Sequence, residues 1–223
     1  MSGPSVVVFD VNETLSDLTG MERRFEEVGA PGSLSPLWFA SVLRDGFALT
    51  AVGANARFAD IGADLLRGLL PRAGVVGDID TAVDQVMAGF SALSLHPDVV
   101  AGVRALHAAG LRLVTLSNGA ATVAEGLLGR AGVRDLFEHV LSVEEPGVWK
   151  PAARAYEFAA ERCGVAPGEM MLVAVHPWDL DGASRAGLRT AWLNRNGGPY
   201  PSYARRPTVT VTSLDDLPAA LGG

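Results

Sequence analysis

Short apolar segments alternate with helical patterns along most of the chain, and this alternation restricts the fold more than any other feature. The segments are rich in Val, Leu or Thr, which is typical of buried strands. The predicted strands span residues 5–9, 111–116, 139–142, 170–175, 189–193 and 207–211. Helical patterns lie between most of them, over about 98–109, 120–131, 152–163, 179–187 and 213–221. Strands that alternate with helices of this length predict right-handed βαβ units, and therefore an α/β fold with a doubly wound, Rossmann-like parallel sheet.

A run of helical patterns interrupts the alternation after the first predicted strand. The patterns cover 19–29, 35–51, 54–70 and 78–92, and we recognise no convincing strand signal among them. Helical insertions of this kind can close over strand ends, exclude water and complete a site. We therefore predict a Rossmann-like catalytic core formed by residues 1–16 and 96–223, with a helical cap formed by residues 17–95.

The composition argues against several classes of protein. Hydrophobic residues make up 48% of the 223 residues and charged residues 19%, which argues against disorder. The net charge of −7 gives no support to binding of nucleic acid, and no Lys/Arg run suggests contact with a membrane. The single cysteine, Cys163, fits a reducing compartment, and neither a secretion signal nor a membrane span is recognisable. We expect a soluble cytoplasmic protein that acts on a small molecule, and the oligomer to consider is a homodimer.

Polar side chains stand at or beyond the ends of four predicted strands. They are Asp10 and Thr14 after the first strand, Ser117 and Asn118 after the second, Lys150 in the loop after the third, and His176, Trp178 and Asp179 after the fourth. Because parallel strands end at the same edge of a sheet, these groups can converge on one crevice. A carboxylate such as Asp10 can attack carbon or phosphorus there and form a covalent intermediate.

The predicted neighbours of Asp10 can assist its reaction in different ways. The Thr14 hydroxyl can fix its angle of attack, and Lys150 can hold it ionised or bind a substrate carboxylate. The serine and asparagine after the second strand precede a helix and can donate to an anion. Asp179 can orient the lysine or act as a general base toward water. Singly, each residue has an ordinary explanation as a cap, a turn or a solvated side chain. Their succession at strand ends favours a site.

These motifs resemble those of the haloacid dehalogenase superfamily, and within it the L-2-haloacid dehalogenases, over nearly the whole chain. The superfamily's first motif is an apolar strand followed by D-x-D-x-T, for which this chain has residues 10–14, Asp-Val-Asn-Glu-Thr. The strand-end serine corresponds to Ser117, the lysine to Lys150 with Tyr156 after it, and the acidic loop to residues 176–179. The Lys-Pro-x-x-x-x-Tyr spacing, the Ser-Asn-Gly turn and the Trp-Asp pair are similar to the dehalogenase branch in particular.

Asn12 separates the two main reactions that the resemblance implies. Phosphatases of the superfamily use an aspartate at this position as a general acid, and they bind Mg²⁺ with several carboxylates. One of those usually lies four residues before Asp179, where this chain has Val175. An amide cannot act as a general acid, and a valine cannot ligate a hard cation. Displacement of halide from carbon needs neither, so we expect a dehalogenase without a metal or other cofactor.

The resemblance also implies how the substrate is held. In the dehalogenases a cap arginine helps to bind the departing halide, and Arg44 is the best match here. Its rivals are Arg23, Arg24 and Arg57. The other expected substrate contacts are Asn12, Ser117, Asn118 and Trp178. Trp38, Phe39, Phe58 and Trp178 could wall an apolar halide pocket, although packing in a core is the default for the first three.

The chain departs from the dehalogenase pattern at three positions. The family commonly has Ser and Asn where Ala174 and His176 stand, and Tyr where Asn12 stands. Those residues help to position the water that hydrolyses the ester intermediate. His176 can replace the asparagine as a hydrogen-bonding group or a base, because its charge state is tunable near neutral pH. A structural histidine and a different substrate are the alternatives.

The predicted function is hydrolysis of a short 2-haloacid through an aspartyl-ester intermediate. Asp10 attacks the 2-carbon with inversion, and water activated near Asp179 cleaves the ester at the aspartyl carbonyl, with His176 as assistant. The same residues leave open a Mg²⁺-dependent phosphatase, a hydrolase that opens a small cyclic imino acid, and a non-catalytic binding protein.

Overall fold

The computed structural model describes residues 3–222 and contains a parallel sheet covered by helices on both faces. The strands found there are β1 (Val6–Phe9), β2 (Arg112–Ser117), β3 (Phe137–Ser142), β4 (Met170–Ala174), β5 (Arg189–Leu193) and β6 (Val209–Val211). Their order across the sheet is β3-β2-β1-β4-β5-β6, and each neighbouring pair is parallel. The predicted α/β fold with a doubly wound parallel sheet is confirmed.

The helices of the described residues agree with the prediction to within a few residues. They are α1 (Met21–Glu27), α2 (Leu34–Ala51), α3 (Phe58–Arg72), α4 (Ile79–Ser91), α5 (Val99–Ala108), α6 (Ala121–Arg130), α7 (Ala153–Cys163), α8 (Pro177–Arg185) and α9 (Leu217–Leu221). α8 begins at Pro177, two residues earlier than predicted, because proline suits the first turn of a helix, where its missing N–H is not needed. Among residues 3–222, no helix is long and apolar enough to span a lipid bilayer.

β1 lies in the interior of the sheet and is buried on both of its faces. All of residues 6–9 are fully buried. Val6 and Val8 join a cluster with residues of α1–α4, α7 and α8, whereas Val7 and Phe9 pack with residues of α5, α6 and α9. A strand covered on both faces needs an apolar side chain at every position, which explains the continuous apolar run. The chain order reverses beside β1, and ligands of such sheets bind at the strand ends next to this point.

The helices between β1 and α5 share an aromatic cluster. Trp38 packs edge-on against Phe58 and Phe90, with ring centroids 6.3 and 5.6 Å apart, and its Nε1 donates to the Gly62 carbonyl at 3.0 Å. Trp38, Phe39 and Phe58 are all buried, as expected for core packing. The division into a core and a cap of residues 17–95 stays a prediction. The terminal residues of the predicted core, Met1, Ser2 and Gly223, lie outside the described residues.

Trp149 anchors the loop between β3 and α7 on these helices. Its ring stacks on Phe58 with centroids 6.0 Å apart, and its Nε1 donates to the Ala56 carbonyl at 3.1 Å. Gly46 of α2 permits the close approach, since a Cβ at this position would lie 2.4 Å from the Trp149 ring. Because Lys150 follows Trp149, this packing fixes the point from which the lysine side chain starts.

Candidate active site

Asp10 is the first residue after β1 and is almost completely buried, at 4% exposed. Its backbone N–H donates to the Val173 carbonyl at 3.0 Å, which keeps it aligned with β4. The structure brings together all the side chains that the sequence predicts to be catalytic. They are Asp10, Thr14, Lys150, His176 and Asp179.

Lys150, the one lysine of the sequence, links two buried carboxylates. Its side chain is fully buried, and Nζ donates to Asp10 Oδ1 at 2.8 Å and to Asp179 Oδ2 at 2.6 Å. The Tyr156 hydroxyl donates to Asp179 Oδ1 at 2.6 Å, so both oxygens of Asp179 have a donor. Buried charges require such pairing. This geometry serves the orientation of Lys150, which is one of the two functions considered for Asp179.

The electrostatics of this group favour a charged nucleophile. Burial raises the pKa of Asp10, but Lys150 and His176 lower it by more, and the resulting pKa lies below the usual range. Burial lowers the pKa of Lys150, while Asp10 and Asp179 raise it, and the balance lies above the usual value. Burial also raises the pKa of Asp179. At neutral pH Asp10 is therefore a carboxylate and Lys150 an ammonium group.

The second oxygen of Asp10, Oδ2, faces Thr14 and His176. Thr14 Oγ1 donates to it at 2.6 Å and accepts from the Val175 N–H at 3.1 Å. His176 Nδ1 lies 3.2 Å from Oδ2, and its Nε2 lies 2.7 Å from Glu13 Oε2. Burial lowers the pKa of His176, but the hydrogen bonds to Asp10 and Glu13 raise it to about 9. At neutral pH His176 is therefore a cationic donor rather than a base.

The turn after β2 is tied to its neighbours by hydrogen bonds. Ser117 Oγ accepts from the Gly119 N–H at 2.9 Å, and Ser142 Oγ donates to the Gly119 carbonyl at 2.8 Å. Asn118 Oδ1 accepts from the Lys150 N–H at 2.9 Å, and its Nδ2 lies 3.3 Å from the Lys150 carbonyl. The expectation that Asn118 contacts substrate stays a prediction. Its amide holds the backbone of Lys150, because the loop after β3 packs on this turn.

A small cavity adjoins Asn12 and Ser117, which the sequence predicts to contact substrate. It has a volume of about 40 Å³, and Phe58 of α3 and Met87 of α4 contribute to its wall. This volume suits a group of the size of a carboxylate or a halide rather than a whole substrate. Asn12 itself is 8% exposed.

A larger cavity of about 590 Å³ lies between α2 and the loops that follow β1, β4 and β5, and its lining includes Glu13, His176 and Arg195. Sequence reasoning missed Glu13 and Arg195. Arg195 follows β5, so the strand-end rule could have located it. Its guanidinium donates to Asp98 at 2.8 Å and to the Thr14 carbonyl at 3.0 Å. Glu13 gave no local signal, because its partner His176 is 163 residues away.

Arg44 does not reach the site, so the expectation that it receives the halide is wrong. Its side chain is 66% exposed, Nε donates to Asp45 at 2.7 Å, and it lines neither of the two cavities. The reason is the phase of α2, which buries Trp38 and Val42 and turns residue 44 about 200° away from Val42. The rivals Arg23, Arg24 and Arg57 form ion pairs with Glu27, Glu27 and Asp60.

Trp178 covers His176 on the side of α2. The centroids of their rings are 5.0 Å apart and the ring planes meet at 30°. Trp178 also packs edge-on against Phe47 of α2, with centroids 4.9 Å apart. This side chain therefore links the loop after β4 to the helices between β1 and α5, and it limits the orientations open to the His176 ring.

The chain is similar over most of its length to enzymes of one family, and residues 4–187 match the haloacid dehalogenase-like hydrolases. The (S)-2-haloacid dehalogenase of Pseudomonas sp. strain YL is 30% identical over 93% of this chain and 90% of its own. The (S)-2-haloacid dehalogenase 4A of Burkholderia cepacia is 32% identical over 94% of this chain and 91% of its own. The structure of L-2-haloacid dehalogenase from Xanthobacter autotrophicus has a TM-score of 0.88 and 26% identity, with 99% of both chains covered. The same enzyme with chloropropionic acid covalently bound has a TM-score of 0.87 at 26% identity and the same coverage. Together with the strand-end site, these similarities show that the chain belongs to the haloacid dehalogenase-like hydrolases.

Proposed function

We propose that this hydrolase is a dehalogenase of short 2-haloacids. The observation that carries the proposal is that Asp10 at the end of β1 is a buried carboxylate that Lys150 holds ionised. Position 12 has an amide, Asn12, in place of a second acid. The similar enzyme from Xanthobacter autotrophicus forms a covalent complex with chloropropionic acid. That likeness supports a covalent intermediate in this chain, and Asp10 is the residue we assign to it.

In the first step an oxygen of Asp10 forms a bond to C2 of the substrate, and the halide leaves from the opposite side with the bonding electron pair. The configuration at C2 therefore inverts. We assign Oδ1 as the attacking oxygen, because Oδ2 already faces two donors, Thr14 and His176. When Oδ1 becomes an ester oxygen, Lys150 keeps Asp179 as its partner, so the buried cation stays paired in the ester intermediate.

In the second step water attacks Cγ of the ester, and negative charge develops on Oδ2. The Thr14 hydroxyl and the His176 cation are already in place to stabilise this charge. We assign Asp179 as the acceptor of the water's proton, because burial raises its pKa. The bond between Cγ and Oδ1 then breaks, and the alkoxide leaves as a 2-hydroxy acid after it takes up this proton. Asp10 keeps the oxygen of the water.

We place the halide of the substrate in the small cavity beside Asn12 and Ser117, which suits a group of this size. In the described residues no arginine lines this cavity, and Asn12 and Ser117 supply polar groups there. Halide would therefore meet the Asn12 amide and the apolar edge of Phe58 instead of a guanidinium group. This arrangement favours substrates whose halide needs little stabilisation as it leaves, such as bromides over fluorides.

A Mg²⁺-dependent phosphatase is the second candidate, and the available donors argue against it. Asn12 cannot protonate a leaving group, and Val175 stands where a metal-binding acid is expected. Within residues 3–222, no group of three or more His, Cys, Asp and Glu side chains is arranged to hold a metal ion. The Asp10 side chain instead pairs with Lys150 and His176.

The test is halide release from bromoacetate and from each enantiomer of 2-chloropropionate in the presence of EDTA. We expect release from bromoacetate and from one chloropropionate enantiomer, no release by Asp10→Asn, and a covalent mass increase on the Asp10 peptide. A single turnover in H₂¹⁸O should place the label on Asp10. Parallel assays use a phosphate ester with Mg²⁺ and a small cyclic imino acid. Phosphate release, ring opening or binding without turnover, each without any halide release, would overturn the dehalogenase assignment.

We also propose that the helices of residues 17–95 act as a cap and that the protein works in the cytoplasm. Trp149 and Trp178 connect those helices to the loops that carry Lys150 and His176, which supports closure over the site. Cys163 is a free, buried thiol, and burial raises its pKa to about 11, which suits a reducing compartment. Hydrogen exchange with and without substrate tests the cap, and cell fractionation tests the compartment.

A further inference from the structure

Glu13 has a backbone conformation that residues other than glycine rarely adopt. Its φ is 63°, and no other non-glycine residue among 3–222 has a positive φ. The Glu13 carbonyl faces His96 Nε2 at 3.1 Å, and its carboxylate lies against His176 with 2.7 Å between Oε2 and Nε2. The turn after β1 therefore directs this carboxylate toward the imidazole that covers the nucleophile.

Glu13, His176 and Asp10 form a continuous line from the large cavity to the buried nucleophile. The exposed fractions of their side chains decrease along it, from 43% for Glu13 to 12% for His176 and 6% for Asp10. Each ring nitrogen of His176 faces a different carboxylate, and Trp178 lies against the ring. With Nε2 held by Glu13, the proton on Nδ1 has one direction available, toward Asp10 Oδ2.

We propose that Glu13 is a positioning residue, which holds His176 as a cation aimed at Oδ2 of Asp10 and thereby promotes hydrolysis of the aspartyl ester. This inference rests on the proposed function. When water adds to Cγ, the electron pair of the carbonyl moves to Oδ2, and His176 stabilises it without losing its own proton. The pair returns as the bond to Oδ1 breaks, and the hydroxy acid leaves with the proton taken from the water.

The alternative explanation for Glu13 is an ordinary ion pair at the edge of a cavity, which contributes little. Other charged or titratable groups line the same cavity, but Asp10 and Glu13 are the groups that raise the pKa of His176 most. The other groups are Asp17, Glu22, His96 and Arg195. Lys150 contacts the other carboxylate oxygen of the nucleophile, Asp10 Oδ1. Glu22 is therefore a matched control, because Glu22→Gln removes the same charge from the same cavity.

The first measurement follows the titration of His176 by NMR and needs no turnover. In Glu13→Gln we expect the titration midpoint of His176 to fall by about 1 pH unit or more, because an opposite charge within hydrogen-bonding distance is lost. In Glu22→Gln we expect a much smaller change. An unchanged midpoint in Glu13→Gln would overturn the proposal, whatever the protein's substrate proves to be.

The second measurement separates the two chemical steps in single turnovers with 2-chloropropionate. Glu13→Gln should slow hydrolysis of the ester about tenfold or more and change its formation less, so that the Asp10 adduct accumulates. In this variant the alkaline limb of the profile of kcat against pH should move to lower pH, since the His176 cation is lost as pH rises through its lowered pKa. Glu13→Gly suits the positive φ and should behave in the same way. Equal effects on both steps, or the same effect in Glu22→Gln, would refute the proposal. If the wild-type protein forms no adduct, the proposed function fails while the titration still tests Glu13.

Discussion

Lys150→Met is the substitution that most directly tests how the site is held together. Methionine has nearly the length of lysine and can occupy the same buried space. It removes the ammonium group that lies 2.8 Å from Asp10 Oδ1 and 2.6 Å from Asp179 Oδ2. Two buried carboxylates then face each other without a cation between them. One of them must take up a proton, or the protein must open to water.

The expected loss of stability follows from these distances. At an effective dielectric constant of about 20, each contact corresponds to an attraction of roughly 6 kcal/mol. The cost of burying the three charges offsets most of this attraction in the wild-type protein. Removal of one partner leaves that cost in place, and we expect the free energy of unfolding to fall by about 3–5 kcal/mol at neutral pH. Arg154→Met is the control, because the exposed Arg154–Glu161 pair should contribute little to the free energy of unfolding.

The loss should depend on pH with a defined sign. In the wild-type protein the pKa of Asp10 is lowered on folding, so its stabilising contribution is complete above the unfolded pKa and is lost as pH falls through the folded pKa. In Lys150→Met, Asp10 keeps its contact with His176, but the largest influence that lowers the pKa of Asp179 is gone, and burial should raise the pKa of Asp179 further above its unfolded value. The folded variant then binds protons that the unfolded chain does not. Its stability should rise as pH falls, so the difference from wild type should narrow between pH 7.5 and pH 5.

Urea unfolding of both variants and the wild type at pH 7.5 and pH 5 provides the assay, with an unchanged m-value as evidence of the same transition. Halide release should be lost in Lys150→Met at both pH values. The reasoning would be refuted if, at pH 7.5, Lys150→Met lowered the free energy of unfolding by no more than Arg154→Met does. A difference in the free energy of unfolding between Lys150→Met and the wild type that grows toward pH 5 would also refute it.

Three further substitutions test separate parts of the structure. Arg44→Ala should leave halide release within about twofold of wild type, since Arg44 is an exposed partner of Asp45; a large loss in kcat would contradict its placement. Thr14→Val removes the 2.6 Å hydrogen bond to Asp10 Oδ2 and should lower the rate of ester hydrolysis about 100-fold in single-turnover assays, whereas an unchanged rate would exclude Thr14 from the oxyanion contacts. Gly46→Ala should destabilise the protein by about 1–3 kcal/mol in urea, because its Cβ would lie 2.4 Å from the Trp149 ring. Gly68→Ala, with nothing within 4 Å of its Cβ, is the control and should be neutral or stabilising.

Strands, helices and the convergence of the strand ends were predictable because their signals are local. The run of apolar residues in β1 requires burial on both faces, and the helical patterns between strands require crossover connections to a parallel sheet. Because parallel strands end at the same edge of a sheet, the positions of Asp10, Lys150 and Asp179 after three predicted strands indicated that they can converge, although 140 residues separate Asp10 from Lys150. The absence of an acid at position 12 could likewise be read without any structure.

The sequence by itself thus determined the fold class and predicted the nucleophile and the chemistry open to it, whereas the tertiary structure decided where each side chain points. Arg44 and Asn118 show the difference. The phase of α2 against its aromatic cluster turns Arg44 to solvent, and the loop after β3 occupies both polar atoms of the Asn118 amide. The contact between Glu13 and His176 likewise joins two loops from neighbouring strands. Side-chain direction depends on packing between elements distant in sequence, and a local pattern of residues carries no record of that packing.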